Sequence, residues 1–309
     1  MPIVIVSDFA NPEPWINALK KAAPTVEVTT HRQLNDFSGV EFALAWNHPP
    51  GIFMQFPSLK TISSLGAGVD HLLNDPQIPA HINIVRIIDP LLSNDMFEFA
   101  LAIAMNRLRL LTHFRENQKQ KIWKRQRYLR IADVTIGVMG TGVIGNHVAE
   151  NLARVGFSVS GWSRTPGVPK LYPKYSGMAE LPDFLKSSDI LICLLPLTPE
   201  TRGILNEKTL SMLRQGAWIV NLGRGGLLVD DDLISLLNNG HLEGANLDVF
   251  HNEPLPGYHP FWTHQKVFIT PHIASLTDPE SVSMQIVENY YRTLQNRPPL
   301  NQVDRQKGY

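Results

Sequence analysis

The sequence predicts an α/β protein made of two doubly wound, parallel, Rossmann-like sheets. Three observations lead there. Short apolar runs alternate with helical patterns along all 309 residues, as they do where parallel strands are joined by helices. One unit of this kind carries Gly140-Thr141-Gly142-Val143-Ile144-Gly145 between an apolar run at 134–139 and a helical pattern through Arg154. The length is enough for two domains, each with its own core.

Taken in order, residues 3–6 read as a strand and 14–22 as a helix with Trp15, Ile16 and Leu19 on one face and a proline in its first turn. Residues 26–29, 42–46, 59–63 and 82–87 read as further short strands of a first sheet, which has no glycine fingerprint of its own. Residues 93–118 form one long helical pattern. Ser93, Asn94 and Asp95 are capable caps, and Phe97, Ala100, Leu101, Ala104, Met105 and Leu108 make an apolar stripe. At the usual rise such a helix spans roughly 37 Å, long enough to link two domains. A second sheet starts near Val134. It continues with strands at 157–162, 189–195, 217–222, 244–249 and 267–270, and helices at 181–186, 206–213 and 230–238. Residues 279–296 close the chain as an amphipathic helix with Val282, Ile286, Tyr290 and Leu294 on its apolar side, placed to return to the first domain.

Composition narrows the function classes. Lys+Arg and Asp+Glu balance at 28 each, which argues against a nucleic-acid or anionic-membrane partner. The basic stretch 119–130 (Lys119, Lys121, Lys124, Arg125, Arg127, Arg130) therefore reads as a solvated connector. The one cysteine, Cys193, sits in an apolar run and reads as a buried small hydrophobe in a reducing compartment. The start Met-Pro-Ile-Val-Ile-Val lacks a basic signal-peptide region, and no apolar run nears the ~18 residues of a membrane span. A soluble cytoplasmic protein is expected, and no metal is called for.

The chemistry starts at the glycines. Gly140 allows a tight turn, Gly142 lets backbone approach a pyrophosphate, and Gly145 lets helix and strand pack closely. The helix N-terminus then faces the phosphates with its free N–H groups. An NAD site usually has Asp or Glu at the end of the next strand, to bind the ribose 2′-hydroxyl. From residue 157 to 170 there is no acid; instead there is Trp162-Ser163-Arg164-Thr165. A guanidinium fork flanked by hydroxyls suits a 2′-phosphate, so NADP is expected in preference to NAD.

Three further signals lie at strand ends: Asn221-Leu222-Gly223-Arg224, Asp248-Val249-Phe250-His251-Asn252-Glu253-Pro254, and Thr270-Pro271-His272. Together they supply what hydride reduction of a ketone needs. His272 would be the general acid, Glu253 its orienting carboxylate, and Arg224 the cation that holds a carboxylate and polarises the adjacent carbonyl. The substrate is then a small 2-oxo acid.

With these residues in place the chain resembles the D-isomer-specific 2-hydroxyacid dehydrogenases, most closely their glyoxylate/hydroxypyruvate reductase branch. The likeness runs from Leu44-Ala45-Trp46 and Leu65-Gly66-Ala67-Gly68-Val69-Asp70 to the C-terminal stretch ending at Tyr309. The resemblance implies a flavodoxin-like substrate domain (1–98 with 281–309) and an NADP-binding domain (99–280). It implies NADPH-dependent reduction of glyoxylate, hydroxypyruvate or a similar acid to the D-2-hydroxy acid, in a homodimer with the active site in a cleft between domains. By the same resemblance Arg224, Glu253 and His272 are catalytic, and Asp248 lies near the nicotinamide carboxamide. Ala67 and Gly68 bind the substrate carboxylate through backbone amides, and Trp46 walls the pocket. Leu195, Pro196 and Thr201 pack along the cofactor, joining Gly140, Gly142, Val143, Ile144, Gly145, Ser163, Arg164 and Thr165. Two departures stand out: Gly223 where this branch often has Ala, and the segment 121–131, which bears on the dimer contact. The alternative on the same fold is a nucleotide-sensing, corepressor-like binding protein. An NAD-dependent phosphoglycerate or lactate type is disfavoured by Ser163-Arg164.

Overall fold

The structure, a computed structural model, describes residues 1–8, 11–167 and 171–308. Lys170, the end of the acid-free stretch, and Tyr309 lie outside the described residues. The first elements are β1 (Ile3–Ser7), α1 (Glu13–Ala22), β2 (Val28–Thr30), β3 (Phe42–Trp46), β4 (Thr61–Ser64), α2 (Asp70–Leu73) and β5 (Asn83–Val85). Then come α3 (Pro90–Arg109), α4 (Leu111–Lys119), β6 (Thr135–Met139), α5 (Val143–Val155), β7 (Ser158–Ser163), β8 (Lys174–Ser176) and α6 (Gly177–Ser187). The rest are β9 (Ile190–Cys193), α7 (Glu207–Leu210), β10 (Ala217–Asn221), α8 (Asp230–Asn238), β11 (Leu242–Leu247), β12 (Val267–Ile269) and α9 (Pro279–Leu294). The chain forms two compact units: Met1–Leu92 with Leu276–Tyr309, and Ser93–Ser275.

In the first unit a parallel sheet runs β2-β1-β3-β4-β5. β1 is buried along its whole length because both faces of the sheet are covered. Ile3 and Ile5 point to one side, where Trp15, Ile16 and Leu19 of α1 meet Val282, Ile286 and Tyr290 of α9. Val4 and Val6 point to the other, among Ala43, Ala45, Phe53, Phe56 and Ile62. The closing helix thus packs in the first unit. Its start is capped by Asp278, which accepts the Ser281 N–H at 3.1 Å ahead of a helix-opening Pro279.

In the second unit a seven-stranded parallel sheet runs β12-β11-β10-β9-β6-β7-β8. Strand order reverses between β6 and β9, so the glycine turn after β6 opens at the topological switch point, where such sheets bind ligands. One face is covered by α3 and α5, through Ala100, Ala104, Leu108, Val148 and Leu152. The other is covered by α6 and α8, through Phe184, Leu185, Leu233 and Leu237. Cys193 is fully buried in β9, and burial pushes its thiol up to about 12.

Several elements differ from the sequence expectation. The single helix expected at 93–118 is two, broken at Leu110, which sits at φ +57. The cause is a competing cap. The Asn106 side chain accepts the Thr112 N–H at 3.1 Å and donates to the Thr112 hydroxyl at 3.0 Å, giving α4 its own start. Ser93, Asn94 and Asp95 are not caps but lie inside α3, which begins at Pro90 with the Leu91 N–H held by Asp89 at 3.1 Å. The helix expected at 206–213 is a single turn, α7. β8 was not expected: it is a three-residue edge strand paired to β7, and its half-exposed residues give no apolar run.

Leu152 is fully buried beneath α5. Leu152→Ala is expected to cost about 2–5 kcal/mol in urea unfolding, with the slope unchanged, because the sheet beneath cannot collapse to fill the space.

Candidate active site

At the glycine turn, Gly140 sits at φ +106, and a Cβ there would approach the Leu194 carbonyl carbon at 2.7 Å. A Cβ on Gly145 would run into the Gly140 carbonyl oxygen, so α5 starts pressed against the turn that precedes it. Gly142 is different: nothing lies within 4 Å of where its Cβ would be. The Thr141 hydroxyl is buried and has no hydrogen-bond partner among the described residues. Val143 and Ile144 open α5, where the N–H groups of a first turn have no acceptor within the helix. Open backbone, an orphan hydroxyl and a helix N-terminus fit a pyrophosphate.

At the end of β7 the Ser163 hydroxyl donates to the Thr165 carbonyl at 2.8 Å. The Arg164 guanidinium stands 3.7 Å from Glu200. The Thr198 hydroxyl, and behind it the charge of Arg164, hold the Glu200 carboxyl below the usual range. Sequence reasoning found no acid on this strand but missed one arriving from the loop after β9. That loop is closed on itself: the Thr201 hydroxyl donates to the Pro196 carbonyl at 2.7 Å and accepts the Thr198 N–H at 2.8 Å. Leu195 is buried at its root.

The three strand-end motifs come together beyond β10, β11 and β12. His272 Nδ1 lies 2.7 Å from Glu253 Oε2, and each side chain is 35% exposed. Glu253 Oε1 accepts the Phe250 N–H at 2.9 Å, which fixes the carboxylate from behind. Burial pushes the Glu253 carboxyl up, but the bond to His272, the Phe250 amide and the charges of His272 and Arg224 together leave it below the usual range. Arg224 is brought in by its glycines. A Cβ on Gly225 would collide with the backbone of Phe250 and His251, so only glycine lets the two loops touch. Fully buried Asn221 donates to the Arg224 carbonyl at 3.0 Å and accepts the Gly223 N–H at 3.2 Å, while Arg224 Nη1 donates to the Gly223 carbonyl at 2.7 Å. The role of Asn221 went unseen in the sequence, where an Asn closing an apolar strand was the one sign of it.

Asp248 has a positioning role as well. Its side chain is 1% exposed and accepts the Thr270 hydroxyl at 2.6 Å and the N–H groups of Ile273 and Ala274 at 3.0 and 2.9 Å. Its carbonyl accepts the His272 N–H at 2.8 Å. His272 is thereby held at φ +54, a conformation that a side chain other than glycine adopts only when its surroundings impose it.

Trp46, Ala67 and Gly68 belong to the first unit. Trp46 ends β3, half-buried, with its indole against Gly66, where a Cβ would come within 2.8 Å of the ring. The Ser64 hydroxyl donates to the Gly68 carbonyl at 2.7 Å and accepts the Gly66 N–H at 3.2 Å, cinching the 65–68 turn. Within the described residues the N–H groups of Ala67 and Gly68 have no acceptor.

Comparison with known proteins agrees with this geometry. The profile of the "D-isomer specific 2-hydroxyacid dehydrogenase, NAD binding domain" family matches residues 101–274. A glyoxylate/hydroxypyruvate reductase A of Yersinia enterocolitica is 37% identical over 100% of both chains. Among solved structures, a D-isomer-specific 2-hydroxyacid dehydrogenase of Xanthobacter autotrophicus in complex with NADPH and MES superposes with a TM-score of 0.95 at 38% identity, covering 100% of this chain and 99% of that one. An NADPH-dependent glyoxylate/hydroxypyruvate reductase of Sinorhizobium meliloti, in complex with NADP and sulfate, gives 0.93 at 36% identity, covering 100% and 99%. A parallel sheet with a glycine turn at its switch point, a paired His272 and Glu253, and full-length likeness at this level make the chain a member of the D-isomer-specific 2-hydroxyacid dehydrogenase family, in its glyoxylate/hydroxypyruvate reductase A branch.

Proposed function

We propose that the protein reduces glyoxylate, hydroxypyruvate or a similar small 2-oxo acid to the D-2-hydroxy acid, with NADPH as the hydride donor. The observation that carries this is the 2.7 Å pair of His272 Nδ1 and Glu253 Oε2, with the charge of Arg224 acting on the same carboxylate. The solved relatives in complex with NADPH and with NADP support the cofactor.

When bound, the reduced nicotinamide supplies the hydride to the carbonyl carbon. Because Glu253 occupies Nδ1, the nitrogen left to His272 for the substrate is Nε2, which passes a proton to the oxygen as negative charge builds there. Arg224 holds the substrate carboxylate and polarises the carbonyl, in a role that suits a guanidinium fork. The Ala67 and Gly68 amides bind the same carboxylate, and Trp46 bounds the side chain of the acid. Asp248 keeps His272 in position and stands toward the carboxamide. Gly140, Gly142, Val143, Ile144 and Gly145 hold the pyrophosphate. Ser163, Arg164 and Thr165 receive the 2′-phosphate, and Leu195, Pro196 and Thr201 flank the cofactor. A homodimer and a cytoplasmic location complete the proposal. The exposed Leu111, Phe114, Ile122, Trp123 and Tyr128, beside a groove of about 780 Å³, support a face covered by a second copy. The single buried cysteine supports a reducing compartment.

His272→Gln should lower kcat by about 10²–10⁴ while the NADPH Kd stays within about twofold; turnover at the wild-type level would remove His272 from the chemistry. Arg164→Ala should raise the KM for NADPH by about tenfold or more and leave that for NADH nearly unchanged, and equal loss with both cofactors would refute the phosphate contact. The Glu253 carboxyl is held below its ordinary value of 4.5, so the stability it contributes is present above that value and is lost as pH falls through the lower, folded-state value. Thermal unfolding of Glu253→Gln should therefore depend less on pH than wild type between about pH 6 and about pH 3; parallel profiles would contradict the assignment.

A further inference from the structure

The first unit buries a histidine–carboxylate pair that the proposed reaction does not use. His48 Nε2 lies 3.0 Å from Asp75 Oδ2, and the side chains are only 4% and 7% exposed. His48 lies in the loop after β3, and Asp75 follows α2. Asp75 Oδ1 also accepts the Gln77 N–H at 2.8 Å. Burial pushes the Asp75 carboxyl up, but the Gln77 amide, His48 and the Gly51 amide together hold it below the usual carboxylate range. His48 Nδ1 is buried with no partner among the described residues, so Asp75 is the hydrogen-bonding anchor of that ring. A buried pair contributes little net stability, because desolvation offsets the attraction. Its effect must be sought in what it positions.

What it positions is a run of rings packed at tilted angles of 51–60°. The ring centroids of Trp46 and His71 are 4.9 Å apart, those of His71 and His48 are 6.0 Å apart, and those of His48 and Phe53 are 4.9 Å apart. Trp46, at the other end, lies against Gly66 of the turn that presents the Ala67 and Gly68 amides. The chain leaves Trp46 through Asn47 at φ +46, a left-handed turn that asparagine tolerates, and the loop beyond it is tied down by a tertiary contact. His48 and Asp75 provide that contact, tying the β3–β4 loop to the segment after α2. Gly51 and Gln77 meet in the same contact, where a Cβ on Gly51 would run into the Gln77 side chain.

The geometry points to His48 and Asp75 as a positioning pair that, through the His71 ring, fixes the Trp46 indole against the 66–68 turn and so sets the affinity for the 2-oxo acid. This rests on the substrate roles proposed above for Trp46, Ala67 and Gly68. Neither residue of the pair touches substrate; they act on KM rather than on the chemical step.

The test is steady-state kinetics of the full-length enzyme with NADPH and hydroxypyruvate, in a double-mutant cycle with Trp46→Ala. Asp75→Asn, and independently His48→Phe, should raise the hydroxypyruvate KM about tenfold while kcat and the NADPH Kd stay within about twofold. In the Trp46→Ala background the same substitutions should add less than about twofold, since the element they position is gone. Two results would overturn the pair's role: both variants leaving KM unchanged, or a full tenfold effect persisting without Trp46. Failure of the underlying reading looks different, because then Trp46→Ala alone leaves KM unchanged, or wild type turns over no 2-oxo acid.

Discussion

One buried carboxylate, that of Asp248, collects a hydroxyl and two backbone N–H groups from the segment 270–274 and holds His272 in a left-handed conformation. Left to local preference, a histidine after Thr270-Pro271 would relax to extended or helical backbone, and its ring would leave Glu253. The cost of the unusual conformation is met by four bonds: three to the Asp248 side chain and one from the His272 N–H to the Asp248 carbonyl. Asp248 is itself anchored, because it directly follows β11, which is paired on both sides, to β10 and β12, in the seven-stranded sheet. The geometry of the candidate acid is therefore inherited from the sheet.

Backbone contact does the same for the other components. Gly225 lets the Arg224 loop touch residues 250 and 251 without an intervening side chain, which is how a cation after β10 reaches the carboxylate after β11. Gly145 presses α5 against the Gly140 turn. Neighbouring parallel strands lie about 4.8 Å apart, so loops leaving adjacent strand ends run close together, and at Gly225 the missing side chain lets backbone meet backbone. Glycine at these positions brings functional side chains together, while Gly142, facing open space, leaves room for a ligand.

Much of the architecture was legible in the chain. The alternation of apolar runs and helical patterns led to both parallel sheets, and α8 and β3 fell where the residues placed them. The failures were local competitions. Helical periodicity from 93 to 118 was real, yet Asn106 offered its side chain to Thr112 and a second helix began. Ser93, Asn94 and Asp95 had the chemistry of caps, but Pro90 and Asp89 started the helix earlier. β8 is stabilised by pairing with β7 and not by burial, so it left no apolar pattern to read.

The sequence alone determined which residue types were available at strand ends: glycines at the first turn of the second sheet, Arg164 in place of an acid, and Arg224, Glu253 and His272 in order. Strand periodicity and turn chemistry are local, so these could be read without coordinates. Tertiary structure decided which of them meet. Glu253 and His272 are 19 residues apart and touch because β11 and β12 are neighbours in the sheet. Glu200 reaches Arg164, and Asp75 reaches His48, across separations that no periodicity encodes. Side-chain contacts between distant segments depend on strand order and on the exclusion of water from the packed interior, and both exist only once the chain has folded.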